Sequence, residues 1–242
     1  MTTICDLYPA IDLRDGRVVR LRQGDYDAET VYGDDPVAVA TAFADAGAPW
    51  VHVVDLDAAR SGDPVNRPVV ERIAAALHGR ARLQNGGGVR SVDDARHLAE
   101  IGVDRVVMGS AAVRRPDLVV DVSDVVAVAV GLDHRTGELA TDGWTEGSGV
   151  QLADALGRFP TASAFVITDI GRDGMLSGPD IVGLKAAVAA TATPVIASGG
   201  VSSLDDVVAL AAIPGLGGII TGKAVYEGRF TVAEAVRALE VH

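Results

Sequence analysis

The amino-acid sequence predicts an α/β fold in which a single domain forms one (β/α)8 barrel. Short runs rich in Val and Ile alternate with longer amphipathic stretches, a pattern that favours parallel strands joined by helices. The length of 242 residues fits one barrel of about 250 residues with no second domain. Segments of the first half recur in the second, so we expect two similar half-barrels, at about 1–122 and 123–242.

The order of the elements follows from the hydrophobic pattern. The predicted barrel strands are 7–12, 50–57, 82–84, 105–108, 126–133, 164–169, 194–197 and 218–221. The predicted helices are 36–46, 64–77, 92–101, 151–158, 180–189, 204–211 and 231–239. The connection at 111–124, after the fourth strand, has little helical periodicity and is predicted only weakly as a helix. A doubly wound open sheet uses the same alternation and is the alternative architecture.

The composition is that of a globular domain and disfavours several other classes of protein. Aromatic residues are only 4% of the chain, so Val, Ala, Leu and Ile must fill the core. A formal net charge of −12 disfavours nucleic-acid partners. The single cysteine, Cys5, has no partner for an intramolecular disulfide. Because we find neither a long apolar run nor a basic leader, we expect no membrane span, no secretion signal and a cytoplasmic location.

Two pairs of repeated segments relate the halves of the chain. GGVRSVDD at 87–94 recurs as GGVSSLDD at 199–206, and VVMGSAAV at 106–113 recurs as IITGKAVY at 219–226. The offsets, 112 and 113 residues, are nearly equal and close to half the chain length. The repeats therefore indicate that strands three and four correspond to strands seven and eight.

The repeated segments carry glycines where a strand ends and a helix begins. Such glycines let backbone amides approach an anion, and the start of the helix adds a favourable dipole. The serine and aspartate that follow match a helix-capping pattern. Tight strand-to-helix turns are the alternative explanation, but two copies across one barrel mouth favour a ligand with two phosphates. The candidate phosphate-binding residues are Gly86, Gly87, Gly88, Arg90, Gly109, Ser110, Ser198, Gly199, Gly200, Gly222 and Lys223.

Two carboxylates end corresponding strands and are the candidate acid and base. Asp12 closes the first strand and Asp133 the fifth, so both are expected at the catalytic mouth. A well-placed acid or base contributes about 10²–10⁴ in rate, and symmetry alone leaves open which residue donates. Thr168 ends strand six, and Asp173 lies in a glycine-bounded loop, 171–178, that resembles a flap. Capping of a loop and an Asp-Gly turn are the structural alternatives.

The remaining candidates are weaker. Asp55 and Asp57, near the end of strand two, are expected to support a loop rather than react. Trp144 lies in the polar stretch 136–149, where an aromatic ring can fix the loop or stack on a ligand. Of the five histidines only His134 is predicted near the chemistry, and it is given no role. No histidine has metal-ligand spacing, so no metal is expected.

Taken in order, these motifs resemble one known family along essentially the whole chain. PAIDLRDGRVVRL, VHVVDLDAA, NGGGVRS, TDIGRDGMLSGP and ITGKAVYEGRFT are similar to the histidine-biosynthetic isomerases that act on the bisphosphorylated ribotide ProFAR. The resemblance implies a TIM barrel, an Amadori rearrangement and no cofactor. It also implies Asp12 as general base and Asp133 as general acid. Assisting roles fall to Thr168 and Asp173, with Arg20 and Trp144 in mobile loops over the substrate.

Three other functions are compatible with parts of the same pattern. An actinobacterial bifunctional relative also isomerises phosphoribosyl anthranilate, but its Arg-Gly-Arg-Gly-Trp run is replaced here by ATDGW, with Asp142 at an arginine position. The related cyclase usually has Cys-Leu-Asp where this chain has Ala-Ile-Asp ending at Asp12. A non-catalytic phosphate-metabolite sensor would have little need of intact Asp12, Asp133 and Thr168. We expect a monomer that acts on a small bisphosphorylated molecule.

Overall fold

The computed structural model describes residues 5–22, 24–141 and 143–240, apart from the side chain of Arg22. The strands within these ranges are β1 (Asp6–Arg14), β2 (Arg17–Arg22), β3 (Asp25–Gly33), β4 (Trp50–Asp55), β5 (Arg82–Gly86), β6 (Arg105–Met108), β7 (Ala127–Arg135), β8 (Glu138–Thr141), β9 (Glu146–Gln151), β10 (Ala164–Asp169), β11 (Val195–Ser198) and β12 (Leu216–Thr221). The helices are α1 (Pro36–Asp45), α2 (Leu56–Ser61), α3 (Arg67–Leu77), α4 (Val92–Glu100), α5 (Ser110–Arg114), α6 (Pro116–Ser123), α7 (Leu152–Ala155), α8 (Ile181–Ala190), α9 (Leu204–Ala211), α10 (Lys223–Tyr226) and α11 (Val232–Glu240).

Eight of the strands form a closed parallel barrel. Their order is β1, β4, β5, β6, β7, β10, β11 and β12, and the barrel closes where β12 pairs with β1. β10 pairs with β7 in parallel over six residues, with Thr168 opposite Asp133. The predicted (β/α)8 barrel is therefore confirmed, because an open sheet would leave two unpaired edges.

Several predicted boundaries differ from the structure. β4 ends at Asp55, so Asp57 lies in α2 rather than in the strand. The weakly predicted connection after the fourth barrel strand is helical, as α5 followed by α6, with Pro116 opening the second helix. The helix predicted at 151–158 is only the four-residue α7. Short segments carry too few turns to show a clear period, which explains these errors.

Two antiparallel hairpins were not predicted. β2 and β3 extend from the end of β1, and β8 and β9 extend from the end of β7. Residues in β3 and β9 are exposed or half-buried throughout, so neither strand shows the alternation that marks a buried face. Each hairpin follows the first strand of a predicted half. The half-barrel boundaries themselves stay a prediction.

The hydrophobic core has two parts, one outside and one inside the barrel wall. The larger part lies between strands and helices and includes Ile11, Val53 and Phe165. The smaller part fills the lower barrel with inward-facing side chains such as Tyr8 and Trp50. This filling is expected for a barrel of this size, and a cavity lies above it at the carboxyl ends of the strands. Among the described residues, no helix is long and apolar enough to cross a membrane.

Candidate active site

A cavity of about 630 Å³ occupies the carboxyl end of the barrel. Every residue predicted from the sequence to take part in catalysis or binding lines this cavity. The proposed catalytic and loop residues there are Asp12, Arg20, Asp133, Trp144, Thr168 and Asp173. The proposed phosphate-binding residues there are Gly86, Gly87, Gly88, Arg90, Gly109, Ser110, Ser198, Gly199, Gly200, Gly222 and Lys223. The fold thus brings residues from across the whole chain to one space.

Asp12 and Arg20 form an ion pair on one side of the cavity. Their side chains are 13% and 17% exposed, and Arg20 Nη1 lies 2.7 Å from Asp12 Oδ2. The hairpin makes this possible, because Asp12 on β1 pairs with Val19 on β2, next to Arg20. The guanidinium also lies 5.8 Å from the ring of Tyr226 and occupies the space that a Cβ at Gly222 would need.

Asp133 faces this ion pair from the opposite half of the barrel. The indole N–H of Trp144 donates a hydrogen bond to Asp133 Oδ2 at 2.8 Å. Burial raises the pKa of Asp133, although the hydrogen bonds from Trp144 and Thr168 act in the other direction. Trp144 adopts a left-handed backbone conformation at φ 73°, and its ring packs on Gly24 of the other hairpin. The two hairpins therefore meet above the cavity.

Asp173 completes a group of three carboxylates. Burial raises its pKa to about 6, and the negative charges of Asp12 and Asp133 add to this while Arg20 opposes it. Asp173 lies in loop 171–178, where its backbone N–H donates to the carbonyl of Asp169 at 3.0 Å. Lys223 Nζ donates to the carbonyl of Gly174 at 2.9 Å in this loop, so the Lys223 ammonium has a partner within the protein.

The glycine loops of the two halves have the same construction. Gly87 and Gly199 have φ values of 93° and 90°, and each is followed by a second left-handed glycine. A Cβ at Gly87 would collide with the carbonyl of Asp55, so the close approach of the neighbouring backbone by itself requires a glycine there. The predicted caps are confirmed, since Ser91 accepts from Asp94 N and Ser203 accepts from Asp206 N.

The second pair of glycines directly follows β6 and β12 and precedes a short helix in each half. Gly109 and Gly222 directly precede α5 and α10, and both loops face the cavity. Arg90, which also lines the cavity, uses its guanidinium to donate to the carbonyl oxygens of Ala58 and Ala59 in α2. These hydrogen bonds hold the loop after β5 against α2.

Asp55 and Asp57, predicted to support a loop, form hydrogen bonds within the loop region after β4. Asp55 accepts from the backbone N–H of Ala58 at 3.0 Å and so caps α2. Asn66 donates to both Asp55 and Asp57 at 2.8 Å. Asp57 also accepts from the backbone of Asp15 at 2.8 Å. These contacts tie the loop after β4 to the turn after β1.

One sequence expectation about histidine is wrong. His134, expected to be the histidine nearest the chemistry, is not among the cavity-lining residues; its Nδ1 accepts from Gly137 N at 3.4 Å. His52 on β4 lines the cavity instead. The missed signal was the two-residue period of the strand, which places Trp50, His52 and Val54 on its inner side.

The sequence of this chain matches the model of a known protein family. The family model described as "Histidine biosynthesis protein" matches residues 6–231. The chain belongs to this histidine biosynthesis protein family. The match covers both hairpins and every residue that lines the cavity, and it confirms the resemblance seen in the sequence motifs.

Curated relatives in this family carry the name of one isomerase. A protein of Alkalilimnicola ehrlichii is 49% identical over 235 residues, which is 95% of this chain and 94% of the relative. Proteins of Geobacillus thermodenitrificans and Paracoccus denitrificans are 48% and 46% identical, over 96% of this chain and 97% and 99% of theirs. All three are named 1-(5-phosphoribosyl)-5-((5-phosphoribosylamino)methylideneamino)imidazole-4-carboxamide isomerase, or ProFAR isomerase.

Proposed function

We propose that this chain is an aldose–ketose isomerase that converts ProFAR to its phosphoribulosyl isomer in histidine biosynthesis. The observation that carries the proposal is the meeting of Asp12, Asp133 and Asp173 in one cavity between two equivalent pairs of glycine loops. The relatives that share nearly the full length of this chain bear that isomerase's name. The proposed ligand is a small molecule bound by a monomeric protein.

The two pairs of glycine loops are the proposed binding sites for the two phosphates of the substrate. Gly87 and Gly109 lie in one half of the chain, and Gly199 and Gly222 lie in the other. In both halves the first loop leads into a helix capped by serine, whose N-terminal N–H groups and dipole favour an anion. The net charge of −12 does not prevent phosphate binding at these loops, because salt screens charges beyond about 8 Å.

Asp12 is the proposed base. Its carboxylate lies 2.7 Å from the guanidinium of Arg20, and this ion pair fixes the group that would take the proton at the wall of the cavity. Asp173 is the proposed acid, because burial raises its pKa to about 6 and keeps part of it protonated near neutral pH. The family resemblance assigns the acid role to Asp133 instead, whose pKa burial also raises. Variants of the two residues distinguish these assignments.

The chemistry follows from these groups. The acid protonates the furanose ring oxygen, the bond from C1′ to that oxygen breaks, and an iminium forms between C1′ and nitrogen. Asp12 then takes the C2′ proton, and the released electron pair forms the C1′–C2′ double bond as the iminium pair moves to nitrogen. Loss of the hydroxyl proton and protonation of C1′ give the ketone. The iminium is the electron sink, so the proposed mechanism uses no cofactor.

Turnover by the purified protein tests the proposal. We expect the wild-type protein to convert ProFAR to the ketose, measured by chromatographic separation of the two isomers. Asp12→Asn should lower the rate by about 10² or more with folding retained. Asp117→Asn, a change at an exposed residue in α6, is the matched control and should leave the rate unchanged. Absence of turnover by the wild-type protein would refute the proposed function, and near-normal turnover by Asp12→Asn would remove Asp12 from the mechanism.

Phosphoribosyl anthranilate is the second substrate to test. We propose that this chain acts on ProFAR alone, since an acidic residue at 142 is poorly suited to bind the anthranilate carboxylate. Asp142 itself lies outside the described residues. Rescue of a strain that lacks the tryptophan-pathway isomerase would contradict this proposal.

A further inference from the structure

A cluster of buried polar side chains lies beneath the cavity, away from the glycine loops. It consists of Tyr8, His52, Gln84 and Arg105, each between 0% and 8% exposed. They lie on the neighbouring strands β1, β4, β5 and β6. A buried guanidinium is costly unless its donors are satisfied, so these contacts require an explanation.

The guanidinium of Arg105 fixes the orientation of Gln84. Its Nη2 donates to the hydroxyl of Tyr8 at 2.7 Å, and its Nε donates to Gln84 Oε1 at 2.7 Å. Arginine has only donors, so the amide of Gln84 must present its oxygen to Arg105. The NH2 group of Gln84 therefore faces His52, whose Nδ1 lies 3.0 Å away.

This contact determines the tautomer of His52. An amide NH2 group only donates, so Nδ1 must accept and cannot carry a proton. A neutral imidazole then has its single proton on Nε2. The ring also stays neutral, because burial and the positive charges of Arg20 and Arg105 lower its pKa to about 3.

The Nε2–H group is available for a ligand. His52 lines the cavity, and within 5–22, 24–141 and 143–240 the one protein hydrogen-bond partner of its imidazole is the side chain of Gln84. His52 pairs with Ala10, whereas Asp12 pairs with Val54. The histidine therefore lies one inward-facing layer, about 6.6 Å along the strand, below the proposed base.

We propose that His52 binds the C2′ oxygen of the substrate as a neutral Nε2–H donor, with Gln84 and Arg105 as positioning residues that hold this tautomer. The inference rests on the proposed function, in which Asp12 takes the proton from C2′. The C2′ hydroxyl then becomes a carbonyl oxygen as its proton leaves and C1′ is protonated. A neutral imidazole polarises such an oxygen without giving up its own proton.

Exchanging the Gln84 amide for a carboxylate tests the inference. Gln84→Glu offers only acceptors to Arg105 and His52, so Nδ1 must become a donor and the neutral ring loses its Nε2 proton. Two-bond ¹H–¹⁵N correlation of the imidazole reports the protonated nitrogen, and His52→Gln assigns the signal by its loss. His134 is the internal reference, since its Nδ1 contact with Gly137 is independent of Gln84.

We expect a signal of the Nε2–H tautomer for His52 in the wild-type protein and protonation of Nδ1 in Gln84→Glu. The kcat should fall about 10²-fold, comparable to the loss of one donor to a developing oxyanion, with little change in KM. Gln84→Met, which carries no new charge, should allow both tautomers and lower kcat less.

Two results would overturn the inference. One is an Nδ1–H signal for His52 in the wild-type protein. The other is a change of tautomer in the folded variants with kcat unaltered. Absence of ProFAR turnover by the wild-type protein refutes the proposed function and, with it, the substrate oxygen assigned to His52. Normal wild-type turnover with either of the first two results overturns only the role of His52.

Discussion

Replacing Asp173 with asparagine should stabilise the fold at neutral pH while it removes activity. Burial raises the pKa of this carboxyl from 3.8 to about 6, so the folded protein holds its proton more tightly than the unfolded chain does. Ionisation of Asp173 at neutral pH therefore costs folding free energy. Asparagine has nearly the same shape and carries no charge to desolvate.

The magnitude follows from the difference in pKa. A rise from 3.8 to about 6 corresponds to about 3 kcal/mol, because each unit is worth about 1.36 kcal/mol. Asp173 is only half-buried, so water in the cavity reduces the effect, and we expect about 1–3 kcal/mol. The folding free energy lost by ionising Asp173 is zero below pH 3.8, grows as the pH rises towards about 6, and is constant above that.

Urea unfolding at a series of pH values measures this effect. The free energy of unfolding of Asp173→Asn should exceed that of the wild-type protein above about pH 6, and the difference should vanish in acid. Asp117→Asn, the exposed control, should show no comparable trend. A variant less stable than the wild-type protein at neutral pH would show that the attraction of Arg20 for Asp173 outweighs burial, contrary to this reasoning.

Two further substitutions test contacts that join distant parts of the chain. Gly222→Ala should lower the free energy of unfolding by about 1–3 kcal/mol more than Gly109→Ala, measured in urea, because only the methyl group at 222 would displace the Arg20 guanidinium from its ion pair with Asp12. Equal effects would contradict the observed position of Arg20. Trp144→Phe removes the indole donor, whose hydrogen bond favours the charged carboxylate, so the pKa of Asp133 should rise further. An unchanged midpoint in a ¹³C titration of the Asp133 carboxyl would refute this.

The barrel was predictable because its signals are local and repeated. Most barrel strands are short apolar runs, and most helices between them carry a 3.6-residue period. The capping serines, Ser91 and Ser203, were also predictable, since a cap depends on residues within one helical turn. The hairpins were not, because β3 and β9 are stabilised by pairing with a neighbour and bury no continuous apolar face.

The cavity residues were predictable for a topological reason. In a parallel barrel the carboxyl ends of all strands meet at the same rim, so residues near those ends, such as Asp12, Asp133 and Thr168, must share it. Their mutual contacts could not be read from the sequence. The placement of Arg20 against Gly222 joins residues about two hundred positions apart, and it depends on the unpredicted hairpin.

The sequence by itself determined the alternation of elements, the internal repeat and the rim on which the candidate residues lie. Only the tertiary structure decided the protonation states and hydrogen-bond partners of these residues. The pKa of Asp173, the partner of Asp133 and the tautomer of His52 depend on burial and on charges from other strands. These effects fall off over a few ångströms in space and have no fixed relation to distance along the chain.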